Sequence, residues 1–326
     1  MLKNKRILIT GAAGFIGSHL TEILLNNNNF LILIDNFNDY YQGKEERLAT
    51  IVHNYENLKD YILFKNDLLD ETIYSQIDKD IDVIFHLAAQ AGVRYSVEHP
   101  LQVARNNIIS TINLFEFSCK IDKISKIIYA SSSSVYGNPI YTPCDEKHPK
   151  APISAYAASK LTGEVYANYY HREYNLPITS LRFYTVYGPR GRPDMAIYKF
   201  FDLMYQDKEI PIYGDGEQIR DFTYISDIIN GLILSAENDG SVGETFNLGC
   251  SSPLKVNDLV DKMYKITHKT KKIKYLPKQK GDVDITHSDI TKAKKVLNFN
   301  PKIKIEEGLN LQHQWQFENF KKVLHV

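Results

Sequence analysis

Short apolar runs alternate with longer amphipathic stretches through the first half of the chain. Residues 7–9 and 30–34 form apolar runs of strand length, and between them apolar residues from Ile16 to Leu24 recur at helical spacing. Further strands are predicted at 61–64, 83–87, 126–130 and 178–183. Strands that are apolar on both faces and separated by helices are typical of a parallel sheet covered on both sides. The pattern therefore predicts an α/β fold with a doubly wound parallel sheet.

The regular alternation loosens after about residue 176. The elements predicted there are a helix from about Pro193, strands at 210–213, 221–225 and 245–248, and a helix over 227–236 with Ser226 as its N-cap. We therefore expect two lobes. The larger comprises residues 1–175 with returns near 221–250, and a smaller mixed α/β lobe comprises 176–220 and 251–326.

Composition excludes several classes of function. The 326 residues include 39 Lys plus Arg and 39 Asp plus Glu, so no strong field favours nucleic acid. The three cysteines form no CxxC pair, which argues against a zinc site and suits a reducing cytosol. No signal-peptide region and no apolar run of membrane-spanning length is apparent. We expect a soluble cytoplasmic protein with no metal and no nucleic-acid or membrane partner.

A glycine loop opens the chain between the first strand and the first helix. Gly11, Gly14 and Gly17 follow the GxxGxxG spacing that lets backbone and helix N-terminus approach a pyrophosphate. Asp35 stands at the tip of the next strand, where an acid holds a ribose diol. No arginine follows Asp35 directly, so NAD is favoured over NADP.

A tyrosine and a lysine four residues apart supply candidate catalytic groups. Tyr156 and Lys160 share one helix face, and an ammonium beside a phenol favours the phenolate. Residues 131–134 are four serines beyond a predicted strand, at the edge where parallel sheets place ligands. Together with the glycine loop, these groups indicate redox chemistry at a sugar or alcohol carbon.

The chain resembles the extended short-chain dehydrogenase/reductase family of nucleotide-sugar enzymes along nearly its full length. The motifs that carry the resemblance are Gly11-x-x-Gly14-x-x-Gly17, His86-Leu-Ala-Ala89, Ser131-Ser-Ser-Ser-Val-Tyr-Gly137, Tyr156-x-x-x-Lys160, Leu181-Arg-Phe-Tyr-Thr-Val-Tyr-Gly-Pro189 and Arg220-Asp-Phe-Thr-Tyr-Ile-Ser-Asp227. The resemblance implies a Rossmann-like NAD-binding lobe, a smaller nucleotide-sugar-binding lobe and a homodimer formed through helices near 100–120 and 154–173.

The resemblance also implies a role for each matched residue. The catalytic set is Ser132, the base Tyr156, and Lys160, which also contacts the nicotinamide ribose. The residues implied to bind NAD are Gly11, Gly14, Phe15, Ile16, Gly17, Asp35, Asn36, Asp67, Leu68, Leu87, Ala88, Ala89, Asn107, Tyr156 and Lys160. For the substrate, Arg220 is implied to contact the diphosphate, Arg192 to lie by the uridine, and Arg94 to lie near the sugar-phosphate. A surface ion pair is an equal alternative for Arg94.

The serine run bears on the reaction. Dehydrating relatives carry an Asp-Glu pair there and decarboxylating relatives usually a glutamate, whereas this chain has Ser133 and Ser134. Hydroxyls cannot do that acid–base work, which leaves epimerisation through a keto intermediate. The stretches 89–96 and 183–195 resemble UDP-glucuronate 4-epimerases, and Ser133, Ser134 and Thr185 are implied to hold the C6 carboxylate. The resemblance thus implies conversion of UDP-glucuronate to UDP-galacturonate.

Two alternatives stay open at this point. Within the same reaction class, the substrate is UDP-glucose or UDP-N-acetylglucosamine. In a different class, a regulatory protein keeps NAD as a redox sensor, although such a protein has no use for the Ser/Tyr/Lys set.

Overall fold

The computed structural model describes residues 2–53, 55, 60–279 and 281–324, the last three without their side chains. Its main feature is a seven-stranded sheet in the order β10-β6-β5-β4-β1-β2-β3. Its strands are β1 (Arg6–Thr10), β2 (Phe30–Asp35), β3 (Tyr61–Lys65), β4 (Val83–His86), β5 (Lys126–Ser132), β6 (Ile178–Phe183) and β10 (Thr245–Leu248). Every neighbouring pair is parallel. This confirms the predicted doubly wound, Rossmann-like sheet.

Helices cover both faces of this sheet and continue into the smaller lobe. In chain order they are α1 (Phe15–Leu25), α2 (Lys44–His53), α3 (Val93–Glu98), α4 (Pro100–Ala104), α5 (Ser110–Ser118), α6 (Ala155–Tyr174), α7 (Ala196–Tyr205), α8 (Ile225–Glu237), α9 (Val256–Thr267), α10 (Thr291–Leu297) and α11 (Ile305–Leu324). Among the described residues, the hydrophobic core forms two large clusters, because apolar residues that alternate along the strands face opposite sides of the sheet, and a third small cluster that includes Val135 and Tyr184. In the part of the chain that is described, no helix has the length and apolar character needed to cross a bilayer.

The smaller lobe is built on two short sheets. One has the order β11-β9-β7 and the other pairs β12 with β8. These strands are β7 (Thr185–Tyr187), β8 (Ile210–Tyr213), β9 (Ile219–Tyr224), β11 (Pro253–Lys255) and β12 (Ile273–Leu276). Sequence patterning missed β7, β11 and β12, since strands this short have too few residues to show a period.

Two observations bear on the expected lobe boundaries. The expected smaller lobe begins at residue 176, whereas β6 is hydrogen-bonded between β5 and β10 inside the large sheet. In the other direction, β9 belongs to a small sheet, so the return to the larger lobe begins with α8 instead of at 221. We therefore place the first crossing into the smaller lobe after Phe183, as a proposal about domain organisation.

Two helix starts also differ from the prediction. The helix expected from about Pro193 begins at Ala196, with Met195 at its N-cap. The helix expected after Ser226 begins at Ile225, so Ser226 lies in its first turn and Tyr224 takes the cap position without a side-chain hydrogen bond. Strand β9 ends at the residue before this helix, so the cap position is taken by a strand residue and no polar loop residue precedes the helix.

A buried ion pair ties the large sheet to helix α6 beside the carboxyl edge. Arg182 on β6 and Glu164 on α6 form two parallel hydrogen bonds of 2.8 and 2.6 Å, and their side chains are 3% and 8% exposed. Ser131 donates to the same carboxylate at 2.5 Å, and Arg182 also donates to the Tyr136 hydroxyl. Because every charge has partners, the network can lie in the interior and fix β5, β6 and α6 relative to one another.

We expect Glu164→Gln to lower the free energy of unfolding by about 3–5 kcal/mol, since it leaves the Arg182 guanidinium buried without a counter-charge. The double variant Glu164→Gln/Arg182→Met should recover much of that loss. Urea unfolding followed by circular dichroism measures both effects. The control is Asp261→Asn, which breaks the half-exposed Lys271 pair and should cost less than about 1 kcal/mol. Equal losses in Glu164→Gln and Asp261→Asn would contradict this account.

Candidate active site

The glycine loop lies where the order of the large sheet reverses, between β1 and β4. Gly11 has a φ of +73°, and a Cβ there would stand 2.8 Å from the Ala88 nitrogen. A Cβ on Gly17 would stand 2.0 Å from the Gly11 oxygen. Side chains are therefore excluded at both positions, and the bare backbone at the start of α1 faces a cavity of about 420 Å³.

One end of this cavity is lined by the tips of β2 and β3. Asp35 is buried and accepts hydrogen bonds from the backbone of Ala13 at 2.9 Å and Phe37 at 2.8 Å. Burial raises the pKa of its carboxyl, and these two hydrogen bonds oppose the rise. Asn36 donates to the Asp67 carboxylate at 2.8 Å. The structure thus brings the acid, the amide and the glycine loop together, as the sequence predicts.

The other end holds the predicted catalytic set. Ser132 ends β5, while Tyr156 and Lys160 lie on the first turns of α6, and all three line the cavity. Helix α6 begins here because the Ser154 hydroxyl accepts the Ala157 N–H as an N-cap. The Lys160 ammonium is buried, donates to the Ala130 carbonyl at 2.7 Å, and lies 5.3 Å from the Tyr129 ring centre.

Burial and nearby groups act on the Tyr156 phenol in opposite directions. Burial is the largest influence and raises the pKa of the phenol, while the Arg192 charge and a hydrogen bond with Ser132 lower it. Burial also lowers the pKa of Lys160 to about 7, and the role predicted for its charge stays a prediction. Arg192, on the loop after β7, is a cation that favours the phenolate in this structure.

The serine run folds into a short turn after β5. Ser134 donates to the Ser132 hydroxyl from its backbone at 3.2 Å and from its own hydroxyl at 2.9 Å. Ser133, Ser134 and Thr185 all line the cavity. Among the described residues that line it, the acids are Asp35, Asp67 and Asp282, and none belongs to the serine run. The groups next to Ser132 can thus donate hydrogen bonds but cannot act as a carboxylate acid–base pair.

A second cavity of about 440 Å³ adjoins the first and shares part of its wall. Arg192 and Arg220 line both cavities. Arg192 pairs with Asp194 through bonds of 3.0 and 2.6 Å, and Arg220 donates to the backbone carbonyls of Ile219, Val283 and Asp284. These contacts hold both guanidinium groups at the junction between the two cavities.

Two predicted residues lie away from the first cavity. Asn107 is buried behind its wall, where its amide bonds both backbone groups of Gln90 and the Ser159 hydroxyl. It therefore fixes the wall of the cavity, and its assignment to the cofactor stays a prediction. Arg94 lines only the second cavity and forms an exposed pair with Asp282 at 3.4 Å, which was its alternative interpretation.

Several residues of the site were not predicted. They are Tyr40, Tyr41, Lys44, Gln90, Met195, Tyr213 and Asp282. Some of these carried a sequence signal. The stretch after Asp35 is rich in tyrosine and asparagine, and residues that follow a ribose-binding acid lie near the cofactor. Gln90 and Met195 lie in the stretches 89–96 and 183–195, which carry a family resemblance. In the described ranges, no group of three or more His, Cys, Asp or Glu side chains is placed to hold a metal ion.

Comparisons with known proteins agree with this geometry. A family profile described as GDP-mannose 4,6 dehydratase matches residues 8–312. A UDP-glucuronate 4-epimerase of Thermodesulfobacterium geofontis is 40% identical over 323 residues, which are 98% of each chain.

Solved structures are similar over nearly the whole chain. The UDP-glucuronic acid 4-epimerase of Bacillus cereus, in complex with UDP-glucuronic acid and NAD, is 36% identical with a TM-score of 0.90, covering 96% of this chain and 99% of that one. A UDP-N-acetylglucosamine 4-epimerase of Methanobrevibacter ruminantium, in complex with UDP-N-acetylmuramic acid, is 33% identical with a TM-score of 0.89, covering 98% and 100%. The chain therefore belongs to the GDP-mannose 4,6 dehydratase family of extended short-chain dehydrogenases/reductases, alongside solved nucleotide-sugar 4-epimerases.

Proposed function

We propose that the protein is an NAD-dependent isomerase that converts UDP-glucuronate to UDP-galacturonate through a 4-keto sugar. The observation that carries the proposal is the wall beside Ser132 and Tyr156, where Ser133, Ser134 and Thr185 present hydroxyls and no acid. This wall suits a substrate that already carries a carboxylate, because a carboxylate accepts hydrogen bonds and needs donors.

The shape and the side chains of the first cavity fit NAD. Gly11 and Gly17 leave space that a Cβ would fill, and Asp35 offers a carboxylate at the position of a ribose diol. Leu68 is buried at the same end and would contact the adenine. When bound, NAD would accept a hydride from C4 of the sugar and later return it.

The chain's own residues then manage the proton and the sugar. Tyr156 as phenolate would take the proton of the C4 hydroxyl and return it to the same oxygen after the keto sugar has turned its other face to the cofactor. Ser132 hydrogen-bonds the same oxygen, since its hydroxyl lies at the end of β5 beside the phenol. Lys160 is anchored to Ala130 at the buried end of the site, where it would hold the nicotinamide ribose. Proton transfer by a positioned side chain typically contributes about 10²–10⁴-fold to a rate.

The second cavity would hold the uridine diphosphate. Arg220 and Arg192 stand at its junction with the first cavity, and Arg94 lies along its wall. Guanidinium groups suit a diphosphate because they are permanently charged and donate in pairs. Arg192 is paired with Asp194 and Arg94 with Asp282, so each arginine would have to contact the diphosphate as well as its carboxylate partner.

A neutral sugar is the second candidate substrate. Similarity to a UDP-N-acetylglucosamine 4-epimerase over nearly the whole chain favours it, and hydroxyl side chains also hydrogen-bond a neutral C6 hydroxyl. The uronate is preferred because Ser133, Ser134 and Thr185 all line the cavity, and neutral hydroxyl groups are suited to a carboxylate. The 4-keto intermediate of a uronate is a β-keto acid, which can lose carbon dioxide. The serine run has no acid or cation that would assist this loss, which suits an enzyme that keeps the carboxylate.

The proposal includes a homodimer formed through α4, α5 and α6. Leu101 on α4 is 85% exposed and Val165 on α6 is 61% exposed, with Ile109 and Tyr169 nearby in sequence at 46% and 45%. Helices α4 and α6 pack side by side, so these side chains lie on one region of the surface. A second copy would cover this apolar region, which is costly to leave in water.

We expect Tyr156→Phe to remove nearly all turnover of UDP-glucuronate, because it deletes the group that exchanges the O4 proton. NAD bound per subunit should stay as in wild type, since the phenyl ring is retained. NMR of the nucleotide sugars measures turnover, and absorbance after denaturation measures NAD. Activity above about a tenth of wild type would contradict the role of the phenol.

Thr185→Val should lower kcat/KM for UDP-glucuronate by about tenfold to a hundredfold, since a hydrogen bond to a charged group contributes about 1.5–3 kcal/mol. For UDP-glucose the same variant should change kcat/KM far less. Thr50→Val, at an exposed helix position, is the matched control and should behave as wild type. If the wild-type kcat/KM for a neutral UDP-sugar equals or exceeds that for UDP-glucuronate, the second candidate is favoured. Formation of a UDP-pentose with release of carbon dioxide would contradict epimerisation.

Val165→Glu should convert the dimer to a monomer, because it places a charge in the centre of the proposed interface. Light scattering after size-exclusion chromatography measures the mass. Tyr275→Glu, at another exposed apolar residue, is the control and should stay dimeric. A wild-type mass equal to one chain would contradict the dimer.

A further inference from the structure

A cluster of charged and aromatic residues lies near the glycine loop, and Arg192 is the member that already has a role in the mechanism above. We call it the Tyr41 cluster, and its members are Tyr41, Lys44, Arg47 and Arg192. Tyr41 and Lys44 line the NAD cavity, and a Cβ built on Gly14 would stand 4.0 Å from the Tyr41 hydroxyl. The phenol is therefore at the open side of the loop that faces a cofactor diphosphate.

Two polar atoms of this cluster have no protein partner. The Tyr41 hydroxyl and Nη1 of Arg47 are both buried, and neither makes a hydrogen bond within the described chain. The Arg47 guanidinium carbon lies 5.9 Å from the centre of the Tyr41 ring. Burial raises the pKa of the phenol, so it is protonated and can donate at neutral pH. Leaving two donors buried and unpaired is costly, unless a ligand supplies the acceptor.

The other cations of the cluster are already occupied. Lys44 donates to the Asn38 side chain at 2.6 Å, and Arg192 is paired with Asp194. Nearby, Arg190 also has a buried Nη1 without a partner, but its Nη2 pairs with Glu22 at 2.7 Å. Among the described ion pairs, Arg192 has a carboxylate partner and Arg47 has none. The charge of Arg47 is therefore available to an anionic ligand.

Helix α2 places Arg47 beside Tyr41, directly behind the residues that line the NAD cavity. Lys44 and Arg47 are three residues apart at the start of α2 and share one helix face. Glu45, on a different face of the same turn, pairs with Lys65 instead. Glu45 and the two bases of this turn therefore point in different directions, and the bases face Tyr41.

We propose that Arg47, together with the Tyr41 hydroxyl, binds the diphosphate of NAD and retains the cofactor between turnovers. The inference rests on the proposed NAD-dependent function. It names two residues outside the glycine motif. A helix N-terminus supplies only partial charges, whereas a guanidinium provides a full charge and donors that match phosphate oxygens.

The test is NAD retention by the full-length protein. Wild type, Arg47→Gln, Tyr41→Phe and Arg172→Gln are purified without added cofactor, and NAD per subunit is measured after denaturation. Arg172 is an exposed arginine on α6 and provides a charge-matched control. We expect Arg47→Gln to lower NAD affinity about tenfold or more and Tyr41→Phe to lower it less, because a charged hydrogen bond is stronger than a neutral one. Arg172→Gln should match wild type.

A ligand series separates a diphosphate contact from a general disturbance of the fold. ADP-ribose contains the diphosphate and adenosine does not, so their dissociation constants are compared by calorimetry on protein freed of nucleotide. If Arg47 binds the diphosphate, Arg47→Gln weakens ADP-ribose about tenfold and leaves adenosine unchanged. Equal weakening of both ligands, or NAD retention equal to wild type, would overturn the inference.

The same experiment distinguishes failure of the proposed function. A wild-type protein that neither retains nor binds NAD would contradict the proposed function and the inference with it. A wild-type protein that retains NAD and epimerises UDP-glucuronate, beside an Arg47→Gln variant with unchanged ADP-ribose affinity, would overturn the inference alone.

Discussion

Parallel strands in one sheet end at the same edge, and the arrangement of this protein depends on that constraint. The glycine loop follows β1, Asp35 ends β2, and Ser132 ends β5, although these residues are far apart in the chain. Each strand is held by hydrogen bonds to parallel neighbours, so the edge is rigid. Helix α6 adds Tyr156 and Lys160 to this edge, and the Arg182–Glu164 pair fixes the helix against it. The smaller lobe then needs only to bring Thr185, Arg192 and Arg220 opposite.

Burial sets the electrostatics of the cleft more than any single charge does. It raises the pKa of Tyr156 and Asp35 and lowers that of Lys160, in each case disfavouring the ionised form. In such a site the neutral forms of these side chains are favoured as long as no charged ligand is bound. The diphosphates and the cofactor ring that the protein is proposed to bind would then be the main charges of the cleft, and each would interact strongly because the buried cleft has a low dielectric constant.

Much of this site was predictable from sequence because its residues lie in local motifs. The glycine spacing, the Tyr156–Lys160 pair and the acid after β2 each depend on neighbours within one turn or one strand end. What the sequence could not indicate are the contacts of side chains whose partners are distant in the chain. Arg94 meets Asp282, and Asn107 meets Gln90 and Ser159. No local pattern encodes such pairings, and the same holds for β6, whose place in the large sheet is decided by pairing with β5 and β10.

The two cavities share a wall that includes Phe15, Tyr40 and Thr185. If ligands in the two cavities order the same side chains of this wall, the binding of one changes the free energy of binding the other. This coupling is reciprocal: if a nucleotide sugar binds more tightly to the protein that holds its cofactor, it strengthens cofactor binding by the same factor. An abundant substrate would therefore protect the protein against loss of the cofactor, and scarcity of substrate would be the condition under which the cofactor exchanges.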